Sequence, residues 1–340
     1  MLLNAYCTHR APPPLDFRHR LNSRRDRSDP DLAPHLRGFM GFVMGGGQRP
    51  MNQTRYAVLR HIERVCHHVS LHVDDADLDA FAAWARAANA IVFTPDGSVR
   101  APDGAVLVDP ASGDAQAGAE VPYPADAVAR RRASREALAA LGVAVPETLP
   151  PVVAEVEVAL RDAREVAARC LALLACALRA ESLGSGDGVD PAELARKIPG
   201  AVEAMSPRER AFFHAASPSR RDVVDHGWRY EALAALAWSI QLLPALPAPT
   251  RLCDVPALAA TTLGLAGEGS IGAARLRPAR EVLDALDLHF RAHWAVTEAR
   301  VQGRDLGGGL TPGVITERHH ALNWLVRFED ADWDDVSTPT

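Results

Sequence analysis

The sequence predicts an α+β chain, mainly α: a small N-terminal α+β unit followed by a multi-helix domain around a buried central helix. Three observations carry that prediction. Short alternating apolar segments, broken by the Pro-Asp-Gly turns at Pro95–Gly97 and Pro102–Gly104, are confined to the first third. From residue 125 onward the apolar residues recur at helical spacing. There Asp162-x-x-Glu165, Asp190-Pro191-x-Glu193 and Ser206-Pro207-x-Glu209 each set a capping residue three before a glutamate. Finally, Trp228–Leu243, WRYEALAALAWSIQLL, is apolar on almost every side, which marks a buried helix.

Taken in order, residues 1–50 are rich in Pro and Arg, carry little periodicity and end in Gly45–Gly47. They read as a disordered tail or an over-extended start. A basic arm for nucleic acid would want aromatic residues between the arginines, and few are there. Residues 51–110 form the small α+β unit. Tyr56–Cys66 fits a helix or a strand, and His68–Val73 alternates with Val69, Leu71 and Val73 on one face. Leu78, Phe81, Ala82 and Ala85 stand at helical spacing, and Ala90–Asp109 reads as short strands. Residues 111–124, rich in Gly, Ala and Pro, read as a linker. The helical domain occupies 125–340, with helices expected near 125–141, 162–181, 190–197, 206–216, 220–243, 254–264, 277–302 and 312–328.

Composition excludes several classes of function. A chain of 340 residues, 48% hydrophobic and 24% charged, can bury a sizeable core as an ordinary globular protein. Lys197 is the sole lysine, and the Arg- and Ala-rich usage fits a GC-rich bacterial genome. A net charge of -6 argues against broad non-specific nucleic-acid binding. The five cysteines form no CxxC, so a reducing cytoplasm is the simple expectation. No apolar run reaches the roughly 18 residues of a membrane span, and Pro12–Pro14 break any signal-peptide layout. GxSxG, Walker and post-strand GxGxxG motifs are absent, and no cofactor is predicted.

Polar residues on apolar helix faces supply the candidate site. Glu231 shares a stripe with Ala235, Trp238 and Leu242, so its carboxylate needs a partner. Arg318 sits amid Val314, Ala321, Leu322 and Leu325, and Glu231 or Asp287 could neutralise it. Asp287 and Arg291 are read as a surface pair one turn apart. Glu165 and Arg169, at the same spacing, are read as a pair facing a neighbouring helix or solvent. His289 and His293 have metal-ligand spacing, with Glu317 and His320 as possible further ligands, although the latter two point to different sides of their helix. Trp228, Trp238, Trp294 and Trp324 read as core aromatics rather than a ligand pocket.

Several motifs in sequence order resemble the bacterial family known as domain of unknown function 4272. They are Leu160-Arg161 with Glu165 and Arg169, Trp228-Arg-Tyr-Glu-Ala232 with Trp238, and Leu276-Arg277. They continue as Asp287-Leu288-x-x-Arg291-x-His293-Trp294, Val314-x-x-Glu317-Arg318-x-x-Ala-Leu-Asn323-Trp324, and the closing Trp333-Asp-Asp-Val336 with Thr338. The resemblance covers about residues 125–340 and implies a mostly helical fold with no assigned catalytic residue. Together with the residues it leaves three readings. The first is a non-enzymatic scaffold that binds a protein partner. The second is a binder of a small molecule or anion through Arg318, Arg229 and His293. The third is a metal-dependent hydrolase through His289 and His293. The candidate polar cluster comprises Glu231, Arg318, Arg229, Asp287, Arg291, His293, Glu317 and Asn323.

Overall fold

A computed structural model describes residues 1–340, which divide into two compact units. The first comprises Met1–Ala129 with Val153–Val158, the second Arg130–Val152 with Ala159–Thr340.

In the first unit the chain runs β1 (Leu2–Cys7), β2 (Arg20–Asp26), α1 (Leu32–Val43), α2 (Gln53–Arg64), β3 (His67–His72), α3 (Leu78–Ala87), β4 (Ala90–Phe93), β5 (Val99–Arg100) and β6 (Val106–Val108). The strands form one antiparallel sheet in the order β2-β3-β1-β4-β5-β6. Alternation sorts its side chains between two layers. Leu3, Ala5, Cys7, Val69, Leu71 and Val92 pack under Phe81 and Trp84 of α3. Tyr6, Ile91 and Val99 pack under Phe39 of α1 and Val58 and Ile62 of α2.

This corrects the expectation for residues 1–50. They are no loose tail: β1 lies inside the sheet, where Ala5 is paired with Val69 on one side and Val92 on the other. Both faces of this strand are covered, Leu3, Ala5 and Cys7 by α3 and Tyr6 by α1 and α2, so its sequence shows little polar–apolar alternation. The supposed linker 111–124 also belongs to this unit. Gln116 N–H donates to the Val106 carbonyl at 2.8 Å, so the segment lies along β6. The Pro-Asp-Gly turns are present, with Gly97 at φ 83° and Gly104 at φ 90°, a region that favours glycine.

The helix α4 (Ala125–Ala140) leads into the second unit. There follow α5 (Ala163–Ser185), α6 (Pro191–Lys197), α7 (Pro207–His214), α8 (Arg220–Gly227), α9 (Arg229–Ser239), α10 (Val255–Leu263), α11 (Ser270–Ala273), α12 (Ala279–Val301) and α13 (Pro312–Leu325). The capping signals act as their chemistry predicts. Asp162 accepts from Arg164 N–H, Asp190 from Ala192 N–H, and Ser206 with Glu209 closes a full capping box on α7. The helix expected over 220–243 is divided at Trp228: α8 has no buried residue, whereas α9 is buried from Tyr230 to Ser239. Gln241, at φ 66°, stops α9 ahead of Pro244. Packed between α5 and α13, α9 is the centre of this unit, and α12 lies on α13. No helix is long and apolar enough to cross a membrane.

Candidate functional site

The interior of the helical unit holds a series of arginine–carboxylate pairs. On α9, Glu231 is 2% exposed, and Arg318 of α13 is fully buried against it. Arg318 donates to Glu231 Oε2 from Nε at 3.0 Å and from Nη2 at 2.7 Å. Its third nitrogen donates to the Pro247 carbonyl, and Glu231 Oε1 accepts the Cys253 N–H at 2.7 Å. Both charges are therefore neutralised and hydrogen-bonded, the condition for keeping them out of water. Burial, then the adjacent Glu231 carboxylate, pushes the Cys253 thiol up to about 12, so it is no nucleophile at neutral pH.

Asp287 and Arg291 do not form the expected surface pair, because both are fully buried. Arg291 engages Asp287 with two bonds, Nε to Oδ2 at 2.7 Å and Nη2 to Oδ1 at 2.9 Å. The guanidinium also donates to the carbonyls of Pro150 at 3.0 Å and Leu149 at 3.4 Å. The pair thus pins the 149–152 segment onto α12. Spacing of i and i+4 sets two side chains on one face without saying which face that is. Glu165 and Arg169 are likewise not partners of one another. Glu165 pairs with Arg161 at 2.6 Å, while buried Arg169 pairs with buried Glu209.

A second cluster gathers around Trp333. The guanidinium of Arg169 lies 5.0 Å from its ring centroid and that of Arg229 lies 5.9 Å away. His320 and Trp324 meet the ring edge-on at 4.6 and 5.4 Å. Such contacts favour a cation over the electron-rich ring face. Arg229 donates to Glu317 at 2.9 Å. Burial raises the Glu317 carboxyl against the opposing pull of Arg229. The next residue, Asp334, accepts from Ser206 Oγ at 2.6 Å and from Arg208 N–H at 2.9 Å, holding the C-terminal segment to the start of α7. Asn323 secures the same segment by donating to the Ser337 carbonyl at 2.9 Å.

The histidines do not assemble a metal centre. His289 Nδ1 lies 2.7 Å from the carbonyl of Ala285 on its own helix, whereas His293 Nδ1 meets His319 Nδ1 at 2.9 Å. Nowhere do three or more His, Cys, Asp or Glu residues come together in a group able to hold a metal ion. The proposed helpers are engaged elsewhere, Glu317 on Arg229 and His320 on Trp333. Burial pushes His289 down to about 4, and it also lowers His293 and His319. These imidazoles are neutral at physiological pH.

One open cleft borders the Trp333 cluster, with a volume of about 370 Å³. Ala168, Ala204, Met205 and Trp324 contribute apolar surface, and Glu165 and Asp335 stand on it with exposed carboxylates. Arg161, also on the wall, lies flat over Trp324 at 4.4 Å and donates to the carbonyls of Trp324 and Ala331 at 2.8 and 2.7 Å. Its third nitrogen donates to Glu165 at 2.6 Å, so its charge is neutralised on the cleft wall.

A family model described as domain of unknown function (DUF4272) matches residues 130–336. The chain belongs to the DUF4272 family. No curated protein and no solved structure matches it. The DUF4272 match begins where the second unit begins and takes in Trp333 and Asp334 near its end. Every arginine–carboxylate pair described above lies within it. Sequence reasoning missed four members of this interior: Glu209, His319, Trp333 in its caged role, and Asp334. Glu209 carried a signal as the third residue of a capping box, and Trp333 and Asp334 as part of the closing motif, but neither signal foretells a buried arginine or a contact with α7. In the first unit it also missed Glu157, a buried carboxylate bound by Arg64 at 2.9 Å.

Proposed function

We propose that this DUF4272 protein is a non-enzymatic, cytoplasmic binding protein whose helical unit is a scaffold, and that the cleft beside Trp333 receives a segment of a protein partner. One observation carries the reading: the ionisable side chains available for chemistry are engaged inside the unit. Arg318 is saturated by Glu231 and the Pro247 carbonyl, Arg291 by Asp287 and two carbonyls, and Arg229 faces Glu317. The small-anion reading required Arg318, Arg229 and His293 to be directed into a shared pocket, and their bonds point each elsewhere. The cleft, by contrast, offers an apolar floor with the exposed Asp335 carboxylate at its edge, Glu165 being already paired with Arg161. That chemistry suits an apolar side chain flanked by a basic one.

A photo-crosslinking amino acid at Ala204, on the cleft, is compared in cells with one at exposed Val301. The reading expects one defined crosslinked protein from position 204 and not from 301, lost when Ala168→Arg fills the cleft. Equal crosslinking from both positions, or none from 204, would remove it.

A further inference from the structure

The two edges of the N-terminal sheet are finished differently. At β6 the chain folds back on itself: Gln116 N–H donates to the Val106 carbonyl at 2.8 Å, and Gln116 Oε1 accepts the Val106 N–H at 3.3 Å. At β2 nothing of the kind occurs. The strand ends the sheet, pairs only with β3, and no other backbone segment bonds to its outer side. Its residues are exposed or half-buried throughout, and Leu21 is 50% exposed. An open edge is a row of backbone donors and acceptors ready for another strand.

The side chains on this edge state which strand would fit. Residues 18–27 read RHRLNSRRDR, five arginines with one aspartate. That aspartate, Asp26, is engaged by the Ser28 N–H at 2.9 Å and the Ser28 hydroxyl at 2.6 Å. Arg18, Arg20 and Arg24 form no salt bridge within the chain, and Arg25 reaches only the ring of His68 at 3.2 Å. The chain as a whole is acidic, so this concentration of cations is local. Alongside the strand, Arg18, Arg20, His19 and His72 line a cleft of about 300 Å³. Two copies of β2 brought edge to edge would set one arginine-rich strip against an identical one, and the like charges would repel; the bulge between Leu21 and Ser23 limits regular pairing with any strand to the stretches on either side of it. A second copy of this chain is therefore the wrong occupant.

We infer that the outer edge of β2 is a docking strand for an extended acidic segment of another protein, which adds to the sheet through its backbone and pairs carboxylates with Arg20 on one face of the sheet and with Arg24 on the other. The site is independent of the helical cleft. Nucleic acid is disfavoured, because phosphates would answer the arginines but leave the strand's backbone groups unused.

The test uses the full chain and a fluorescein-labelled ten-residue peptide in which Glu-Glu pairs, one glutamate to each face, are separated by Thr or Val, followed by anisotropy. Two comparison probes have equal or greater negative charge: the same peptide with proline at alternate positions, and a twelve-nucleotide oligo-dT. Binding of the Glu peptide is expected to be at least tenfold tighter than binding of either comparison probe. Arg20→Glu/Arg24→Glu, at exposed positions, is expected to weaken it at least tenfold with the unfolding temperature unchanged. Hydrogen exchange is expected to slow over residues 20–26 when the peptide is bound. Equal binding of the proline peptide, tighter binding of oligo-dT, or unchanged exchange in β2 each overturns the inference.

Discussion

Replacing Arg318 by alanine tests how the helical unit is held together. The substitution deletes two bonds to Glu231, at 3.0 and 2.7 Å, and one to the Pro247 carbonyl. Glu231 is left 2% exposed, with the Cys253 N–H as its remaining bond. Removing one member of a buried ion pair costs about 3–5 kcal/mol, because the survivor's charge loses its compensation. Replacing both by apolar groups of similar volume removes that penalty. Arg318→Met/Glu231→Leu should therefore recover at least about 2 kcal/mol of the loss seen for Arg318→Ala. Urea unfolding followed by tryptophan fluorescence suits the question, because five of the six tryptophans lie in the helical unit and only Trp84 lies in the other. A lower midpoint at constant slope is the expected result. A loss below about 1 kcal/mol for Arg318→Ala would refute the reasoning, since that is the scale of a solvated surface pair.

Four further outcomes follow from the geometry. His289 and His320 are held at about 4 by burial, below the 6.5 of an exposed imidazole, so below pH 6.5 the unfolded chain takes up protons that the folded one does not. Stability present above 6.5 is lost as pH falls towards 4, by about 2 kcal/mol per imidazole between pH 7.5 and 5, and His289→Gln should flatten the midpoint-versus-pH curve. Gly313→Ala would bring a Cβ to 2.6 Å from the Trp228 ring, and the overpacking should cost about 1–3 kcal/mol by urea midpoint. Trp333→Ala, which empties the space between two guanidinium groups, should cost about 3–5 kcal/mol. Deleting residues 1–50 removes β1 from the middle of its sheet; limited proteolysis should then degrade the N-terminal unit, whereas a dispensable tail would leave it resistant.

The helical unit was more legible in the sequence than the sheet, for physical reasons. Helix starts are local, so Asp162, Asp190 and Ser206 announced α5, α6 and α7 before any packing was known. The meeting of Glu231 with Arg318 was equally accessible, since each stood alone on an apolar stripe and a buried charge demands a partner. β1 escaped notice because both its faces are covered, Leu3, Ala5 and Cys7 on one and Tyr6 on the other, which leaves little alternation to read, whereas β3, of equal length, alternates at Val69 and Leu71. Burial of Asp287 with Arg291 escaped for another reason. It depends on the 149–152 segment passing over α12, which no spacing on the helix records. Trp333 and Asp334 lie beyond the last long helix, where periodicity gives no guidance, and their roles come from α5, α7 and α13 converging on them.

The most direct test of the central claim separates the buried pairs from binding. The claim is that these pairs hold the scaffold while the cleft does the recognition. Partner crosslinking from position 204 would be measured in Arg318→Met/Glu231→Leu and, separately, in Ala168→Arg. The account predicts that the pair-replaced protein still captures its partner once folded, and that the cleft-filled protein, with an unchanged urea midpoint, does not. A folded pair-replaced protein that fails to capture, beside a cleft-filled one that succeeds, would contradict it.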